Sequence, residues 1–280
     1  MTGEGTQSTR WTKINEESGD GVSTFRLNGW SAFFTFLQDE VFSDSAGNDY
    51  VWRGQRCSDW PLSSSLDRVF AKLGLVDQTP AELDVSASER LVAFKRAARG
   101  RRGQNPPQLN DDQWWALGQH YGLATPLLDW MKSPFAAAYF AFEEDNPYKG
   151  HVTEHRAIYG LHRRAVSLKS EQIVAESNTG RRDAIIDFID PFSDDNPRLV
   201  SQGGMFTRAP VGQPIEMWVQ RAFEGSQEGI LLRIEVPNAD RLACLRTLDR
   251  MNINHLSLFP DLVGASRFVN LEKELESTNG

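Results

Sequence analysis

Residues 113–142 constrain the fold of this chain more than any other stretch. They contain two adjacent Trp, and Gly122 and Pro126 break the helical pattern into pieces. Ser133 before Pro134 predicts the start of a helix, with the serine as N-cap and the proline at the first helical position. Polar residues therefore fall on turns and caps beside apolar anchors. A buried core helix needs few such residues and a binding pocket needs several, so both interpretations stay open.

The composition argues against several classes of protein. The 280 residues carry a net charge of −8, and 40% of them are hydrophobic, which allows a sizeable core. The negative charge argues against a wholly electrostatic nucleic-acid binder but leaves room for a local basic groove. Cys57 and Cys244 lie far apart and form no metal motif, which indicates a reducing compartment. Without an apolar run of membrane-spanning length or a signal sequence, we expect a cytoplasmic protein with no membrane partner.

The predicted elements follow one another in an irregular order, which favours an α+β fold in one domain. Residues 1–22 are rich in Ser, Thr, Gly and Glu and indicate a flexible N-terminal tail with room for a short strand near Trp11, so the domain is expected over 23–280. Hydrophobic periodicity predicts helices within 29–42, 80–102, 241–251 and 266–276, and strands at 50–55, within 151–161, at 215–219 and at 229–236.

Arg53 and Gly54 occupy an unusual position at the end of the predicted strand 50–55. The strand would fix the guanidinium group, and the glycine would let a ligand approach the backbone closely. A planar donor with two parallel N–H groups suits phosphate or carboxylate. An arginine that caps backbone carbonyl groups is the structural alternative.

A second cationic feature lies in the helix predicted within 80–102. In an acidic chain, a basic cluster on one helix indicates contact with phosphate, and a solvated helix face is the equal alternative. The cluster contains no acidic residue and consists of Arg90, Lys95, Arg96, Arg99, Arg101 and Arg102.

Six motifs between Tyr50 and Leu262 together resemble the FRG domain, a bacterial family named for an aromatic-Arg-Gly motif. They are VWRGQ, WPLSSSLDR, ERLVAFKRAA, QHYGL-T-LLDW-SP-A-YFA, RLVSQGGMFT and MNINHLSLFPDL. The family usually has Thr-Arg before Leu-Leu-Asp-Trp. Here Pro126 follows Thr125, so a role of that arginine does not carry over to this chain.

The same parts are similar, in order, to three parts of ADP-ribosyltransferases. There, an aromatic-Arg-Gly strand end holds the phosphates of NAD, a strand–helix unit holds the nicotinamide half, and a third strand gives a Glu or Gln near the ribose. The resemblance implies a single α+β domain with an ADP-ribosyltransferase-like split antiparallel sheet flanked by helices, and NAD as substrate. It places NAD binding at Arg53, Gly54, Gln55, His120, Tyr121, Ser133 and Phe206.

Catalysis has three candidate residues. Gln202, before a Gly-Gly turn, matches the third part of the resemblance, but it is neutral and cannot act as a base. Glu216 on the next predicted strand and Asp129 are the acids that could do more, although Asp129 could also simply cap a turn.

Three functions are open at this point. The first is an NAD-dependent mono-ADP-ribosyltransferase toxin of a toxin–antitoxin or phage-defence system. It would modify RNA or protein through the basic segment 90–102, and an antitoxin would cover the Arg53 cleft. The second is a non-catalytic module in which Arg53 and His120 hold a nucleotide or a phosphorylated partner. The third and least supported is a metal-free hydrolase or nuclease that uses His120 and Asp129.

Two expectations concern geometry. Because α+β sites form at strand ends and helix starts, one cleft should be lined by Arg53, His120, Tyr121 and Ser133. Trp130 should lie in the core, and one of the adjacent Trp114 and Trp115 should point toward the cleft.

Overall fold

A computed structural model describes residues 10–14, 19–43, 47, 49–75, 77–145, 153–176, 184–190 and 204–277. Most of the predicted N-terminal tail and the candidate Gln202 lie outside the described residues. The described residues form a mixed eight-stranded sheet flanked by helices, which confirms the α+β class.

The sheet is antiparallel apart from one pair of strands. The strands are β1 (Trp11–Lys13), β2 (Val22–Leu27), β3 (Tyr50–Gln55), β4 (Leu127–Met131), β5 (His155–His162), β6 (Asp187–Ile189), β7 (Gly204–Arg208) and β8 (Leu231–Pro237). Their order in the sheet is β1-β2-β8-β5-β3-β4-β7-β6, and only β2 and β8 run parallel among the paired strands described. The strands predicted at 50–55, within 151–161 and at 229–236 are confirmed as β3, β5 and β8.

Helices cover both faces of the sheet. A 3₁₀ turn at Trp30–Ala32 precedes the first helix and a π-helical turn at Leu37–Val41 extends it, so the helix predicted within 29–42 is confirmed. The helices are α1 (Phe33–Phe36), α2 (Ser65–Lys72), α3 (Pro80–Ala97), α4 (Asp111–His120), α5 (Pro134–Phe142), α6 (Arg163–Glu176), α7 (Ile215–Ala222), α8 (Arg241–Arg250), α9 (His255–Leu258) and α10 (Leu262–Ser277). The other three predicted helices are confirmed as α3, α8 and α10.

The strand predicted at 215–219 is wrong, because these residues begin α7. Ile215, Trp218 and Val219 are buried, at the i, i+3, i+4 spacing of one helical face. The apolar run is short, and periodicity alone does not separate a short buried strand from a short helix.

Successive side chains of β3 point to opposite faces of the sheet and therefore belong to different hydrophobic cores. Trp52 packs with α1, α5 and α8, whereas Val51 belongs to the core that includes α7. Trp130 is fully buried in the second of these cores, as predicted, and its Nε1 donates to Thr207 Oγ1 at 2.8 Å. A third core joins α2, α3 and α4 to β7.

α5 lies directly against β3 at Gly54. A Cβ on this residue would lie 1.9 Å from the Ala137 carbonyl oxygen and 2.6 Å from the Ala141 amide nitrogen. The contacting side of the helix consists of buried alanines, which allow the backbones to approach closely. The absence of a side chain at Gly54 therefore serves helix packing, which corrects the expectation that it serves the approach of a ligand.

Gly54→Ala should destabilise the protein by at least about 3 kcal/mol, the upper part of the range for an overpacked core. The clash is with helix backbone, so no side-chain rotation relieves it. Urea unfolding measures the loss. Gly100→Ala is the control: its Cβ would meet nothing within 4 Å, and its φ of +72° costs only about 1–2 kcal/mol. A Gly54→Ala variant as stable as this control would contradict the packing account.

Candidate functional site

The sheet opens between the neighbouring strands β3 and β4. β3 and β4 share a single registered pair, Trp52 with Met131, within the described residues, and beyond it the strands separate. A cleft of about 1830 Å³ lies at this separation, and Gly54, Asp129 and Met131 contribute to its floor. α2, α4 and α5 contribute its walls. All eight strands nevertheless belong to one sheet.

Arg53 spans the gap between the separated strands. Its Nη1 donates to the carbonyl oxygen of Asp129 at 2.8 Å, and the Asp129 carboxylate Oδ2 lies 3.6 Å from the same nitrogen. Its Nε is buried and has no hydrogen-bond partner in the described part of the chain. Burial lowers the pKa of Arg53, and the Asp129 carboxylate offsets part of that effect. The guanidinium group is therefore held in place while part of its donor capacity is unused.

Asp129 is oriented by a chain of side chains from α4 and the loop after it. Gln119 Nε2 donates to Asp129 Oδ1 at 2.7 Å, and the fully buried Thr125 hydroxyl donates to Gln119 Oε1. The side chain of Asp129 is half exposed in the cleft. One carboxylate oxygen is thus anchored, while the other faces Arg53.

The cleft is predominantly cationic although the chain as a whole is acidic. Arg68 lies near enough to Arg53 to lower its pKa further, and its Nη1 donates to the Ser63 carbonyl oxygen at 2.8 Å. A concave site with this charge attracts anions. Its described lining includes the cations Arg53, Arg56, Arg68, Lys169 and Arg221 and the acids Asp67, Asp129 and Glu143.

Several predicted binding residues line this cleft. His120, the last residue of α4, is among the lining residues, and so is Phe206 of the third core. Gln55 also lines it, but its Nε2 donates to the Trp60 carbonyl oxygen, so the amide helps to fix the following loop.

Tyr121 and Ser133 do not join Arg53 and His120 among the described lining residues. Tyr121 follows the end of α4 and is 74% exposed, with its ring edge-on to His120. Ser133 is the N-cap of α5, as predicted, and its Oγ accepts a hydrogen bond from the Ala136 amide at 3.3 Å. The expected four-residue cleft is therefore corrected to Arg53 and His120, together with Asp129.

Glu216 is placed differently from the prediction. It lies in the first turn of α7, and both carboxylate oxygens accept from the Leu62 amide, at 2.8 and 3.0 Å. Burial raises the pKa of Glu216. Its carboxylate fastens the loop before α2 to α7, and it is not among the described lining residues of the cleft.

The adjacent tryptophans also depart from expectation. Trp115 is buried in the third core, and Trp114 is half-buried with the Arg102 guanidinium 4.6 Å from its ring centre. Neither is among the described residues that line the cleft. Trp114 therefore anchors the basic segment instead of offering a stacking surface in the cleft.

Two residues that matter in this geometry were not assigned a role from the sequence. Gln119 is part of the QHYGL motif, but its bond to Asp129 depends on the turn that returns the chain to β4. Arg68 lies in the SSSLDR motif at the start of α2, where an arginine looks like an ordinary helix-surface residue. Its position beside Arg53 follows only from tertiary packing.

The fold and this site define a mixed α+β protein with a cationic cleft at the split of its sheet. Residues 48–150 match the family model of the FRG domain, which supports the FRG assignment for this part of the chain. The match covers β3, β4 and α2 to α5, the elements that carry Arg53, Gln119 and Asp129. No curated protein and no solved structure matches the chain. None of the described helices is both long and apolar enough to cross a membrane.

The raised pKa of Glu216 should leave a signature in stability. Over the pH interval above its ordinary pKa, the folded protein retains a proton that the unfolded chain has released, so stability should fall as pH rises through that interval. Urea unfolding between about pH 4 and pH 7 measures this slope. Glu216→Gln has no proton to lose there, and its slope should be smaller. Identical slopes in both proteins would show that the burial of this carboxyl group has no effect on its titration.

Proposed function

We propose that this protein is an NAD-dependent mono-ADP-ribosyltransferase that acts as a toxin. The observation that carries the proposal is the placement of Arg53, with an unused buried donor, beside the Asp129 carboxylate at the open split of the sheet. A fixed cation next to a fixed carboxylate suits a substrate that carries both an anionic linkage and a sugar.

Arg53 and Arg68 would hold the pyrophosphate of NAD. Arginine presents parallel N–H groups that match phosphate oxygens, and the Arg53 backbone position is fixed by β3. Because the guanidinium group is already positioned by Asp129, little side-chain entropy is lost on binding.

Asp129 would stabilise the reacting sugar. When the bond between the ribose C1′ and the nicotinamide nitrogen breaks, nicotinamide leaves with the bonding electrons and positive charge develops on the ribose. A carboxylate held by Gln119 can stabilise that charge without reorganising. The acceptor nucleophile then bonds to C1′ and loses its proton to a base, for which His120 is the candidate in this cleft.

The order of the strands supports the resemblance to ADP-ribosyltransferases. The three parts expected from the sequence fall on β3, on β4 with α5, and on β7, and these strands are neighbours in the sheet. The third part would be completed by Gln202, which lies just before the described part of β7.

The basic segment 90–102 is the proposed contact for the target. Arg96, Arg99 and Arg101 are exposed, whereas Lys95 pairs with Asp111 and Arg102 lies over Trp114. Exposed arginines on one helix end suit RNA or an acidic protein. As a cytoplasmic toxin, the protein would need an antitoxin that covers the Arg53 cleft. Growth arrest on expression, relieved by a neighbouring gene product that blocks NAD binding, would fit this arrangement.

A non-catalytic nucleotide- or phosphate-binding module is the second candidate. It is favoured by the position of Glu216, whose carboxylate accepts a hydrogen bond from the Leu62 amide. Of the two acidic catalytic candidates, only Asp129 is among the described residues that line the cleft. Such a module would bind NAD or ADP-ribose without breaking a bond.

The deciding experiment uses NAD radiolabelled either in the nicotinamide ring or in the adenylate phosphate. We expect the purified protein to release free nicotinamide and to transfer the other label to an RNA or a protein fraction. The fraction that becomes labelled identifies the acceptor class. Binding of NAD without release in the presence of both fractions would contradict the transferase and favour the binding module.

Arg53→Lys should lower NAD-dependent activity almost as much as Arg53→Ala. Lysine keeps the charge but loses the pair of parallel donors, and loss of a hydrogen bond to a charged group lowers activity roughly tenfold to a hundredfold. The Lys variant should melt near the wild-type temperature, because an ammonium group can still approach the Asp129 carbonyl group. If both variants unfold, Arg53 is a structural cap; if both remain fully active, it is not the pyrophosphate ligand.

A further inference from the structure

The wall of the cleft formed by α5 and the end of α9 carries a separate group of side chains. We propose that Phe140, Phe259 and Glu143 form a subsite for a planar nucleotide base with an amino group. On the proposed function, which this inference deepens, the base is the adenine of NAD.

The two phenylalanines give this wall an aromatic surface. Both line the cleft and both are partly exposed. Their ring centres lie 5.6 Å apart with an angle of 67° between the planes. Phe259 is fixed from behind by His255, whose ring stacks on it at 5.1 Å and 22°. A base that enters the cleft therefore meets aromatic side chains already held in place, and such surfaces stack bases of any sequence.

Glu143 supplies the polar contact at this wall. Its side chain is only 8% exposed, yet it lines the cleft, and its Oε2 lies 3.3 Å from His255 Nε2. The His255 ring is fixed on its other side by the Tyr139 hydroxyl at Nδ1. Since Oε2 is turned toward His255, Oε1 is the oxygen assigned to the cleft. A carboxylate accepts hydrogen bonds only, so it selects a base that presents a donor such as an amino group.

The described lining of one cleft contains this subsite together with Arg53 and Asp129. Arg53 crosses the gap between β3 and β4 to reach Asp129, and Phe140 lies on α5, the helix that packs against Gly54. One dinucleotide would then contact Arg53 with its pyrophosphate, Asp129 with one sugar and Glu143 with the base.

The charge of the two bases of NAD favours adenine, and not nicotinamide, as the base beside Glu143. The nicotinamide ring is cationic in NAD and becomes neutral as it leaves. A carboxylate beside it would stabilise the bound substrate more than the transition state, which opposes the reaction. Adenine keeps its charge state throughout, so a carboxylate contact to its amino group adds binding without that penalty.

The test compares the binding of AMP, IMP and nicotinamide mononucleotide by calorimetry, without any turnover. AMP and IMP differ in the base group that faces Glu143: an amino donor in AMP and a carbonyl acceptor in IMP. We expect the wild type to bind AMP roughly tenfold to a hundredfold more tightly than IMP. In Glu143→Gln the ratio should fall to near one, because an amide both accepts from the amino group and donates to the carbonyl group.

Two further variants keep the result interpretable. Arg53→Lys should weaken AMP and IMP alike and leave their ratio unchanged. Phe140→Leu should weaken both nucleotides without changing the ratio, and thermal unfolding of each variant checks the fold. Equal binding of AMP and IMP by the wild type, or an unchanged preference in Glu143→Gln, would overturn the subsite. So would a preference for nicotinamide mononucleotide that Glu143→Gln abolishes, because the nicotinamide would then occupy this wall. If the AMP preference behaves as expected but NAD is not cleaved, the transferase proposal fails and the base subsite stands.

Discussion

The hydrogen bond from Arg53 to the carbonyl oxygen of Asp129 joins two strands whose backbones have already separated. β3 and β4 pair at Trp52 and Met131, and beyond that point a side chain takes the place of the backbone ladder. An unpaired backbone carbonyl group would be costly if it were buried. The guanidinium group satisfies it while keeping the strands apart, so the same interaction stabilises the split and lines the cleft with positive charge.

The shape of the rest of the cleft depends on the contacts that hold its two walls in place. On one side, Gly54 lets α5 rest on the strand backbone, which fixes the positions of Phe140 in that helix and of Glu143 at its C-terminal end. On the other side, Gln119 and the buried Thr125 hold the Asp129 carboxylate. Contacts within the protein hold both walls, and a preformed site loses little free energy to ordering when a substrate binds.

Local signals in the sequence predicted the local parts of this arrangement. The Ser133-Pro134 helix start, the strand that carries Arg53 and the buried Trp130 were predictable because each depends on neighbouring residues. Long-range contacts decided the remainder. Glu216 pairs with Leu62, 154 positions away in the sequence, and the short apolar run around it fits a strand as well as a helix. Tyr121 has the composition of a binding residue but follows a helix end that leaves it exposed.

The central claim is that the buried Nε–H group of Arg53 donates a hydrogen bond to an anion when one binds in the cleft. Heteronuclear NMR of the arginine Nε–H groups tests it directly, with the Arg53 signal identified by its absence from the Arg53→Lys spectrum. On titration with ADP-ribose, the account predicts that this resonance shifts strongly and that its exchange with water slows, because the buried Nε acquires a phosphate acceptor. An Arg53 signal that stays unchanged while ADP-ribose binds would contradict the account, since the anion would then be held elsewhere.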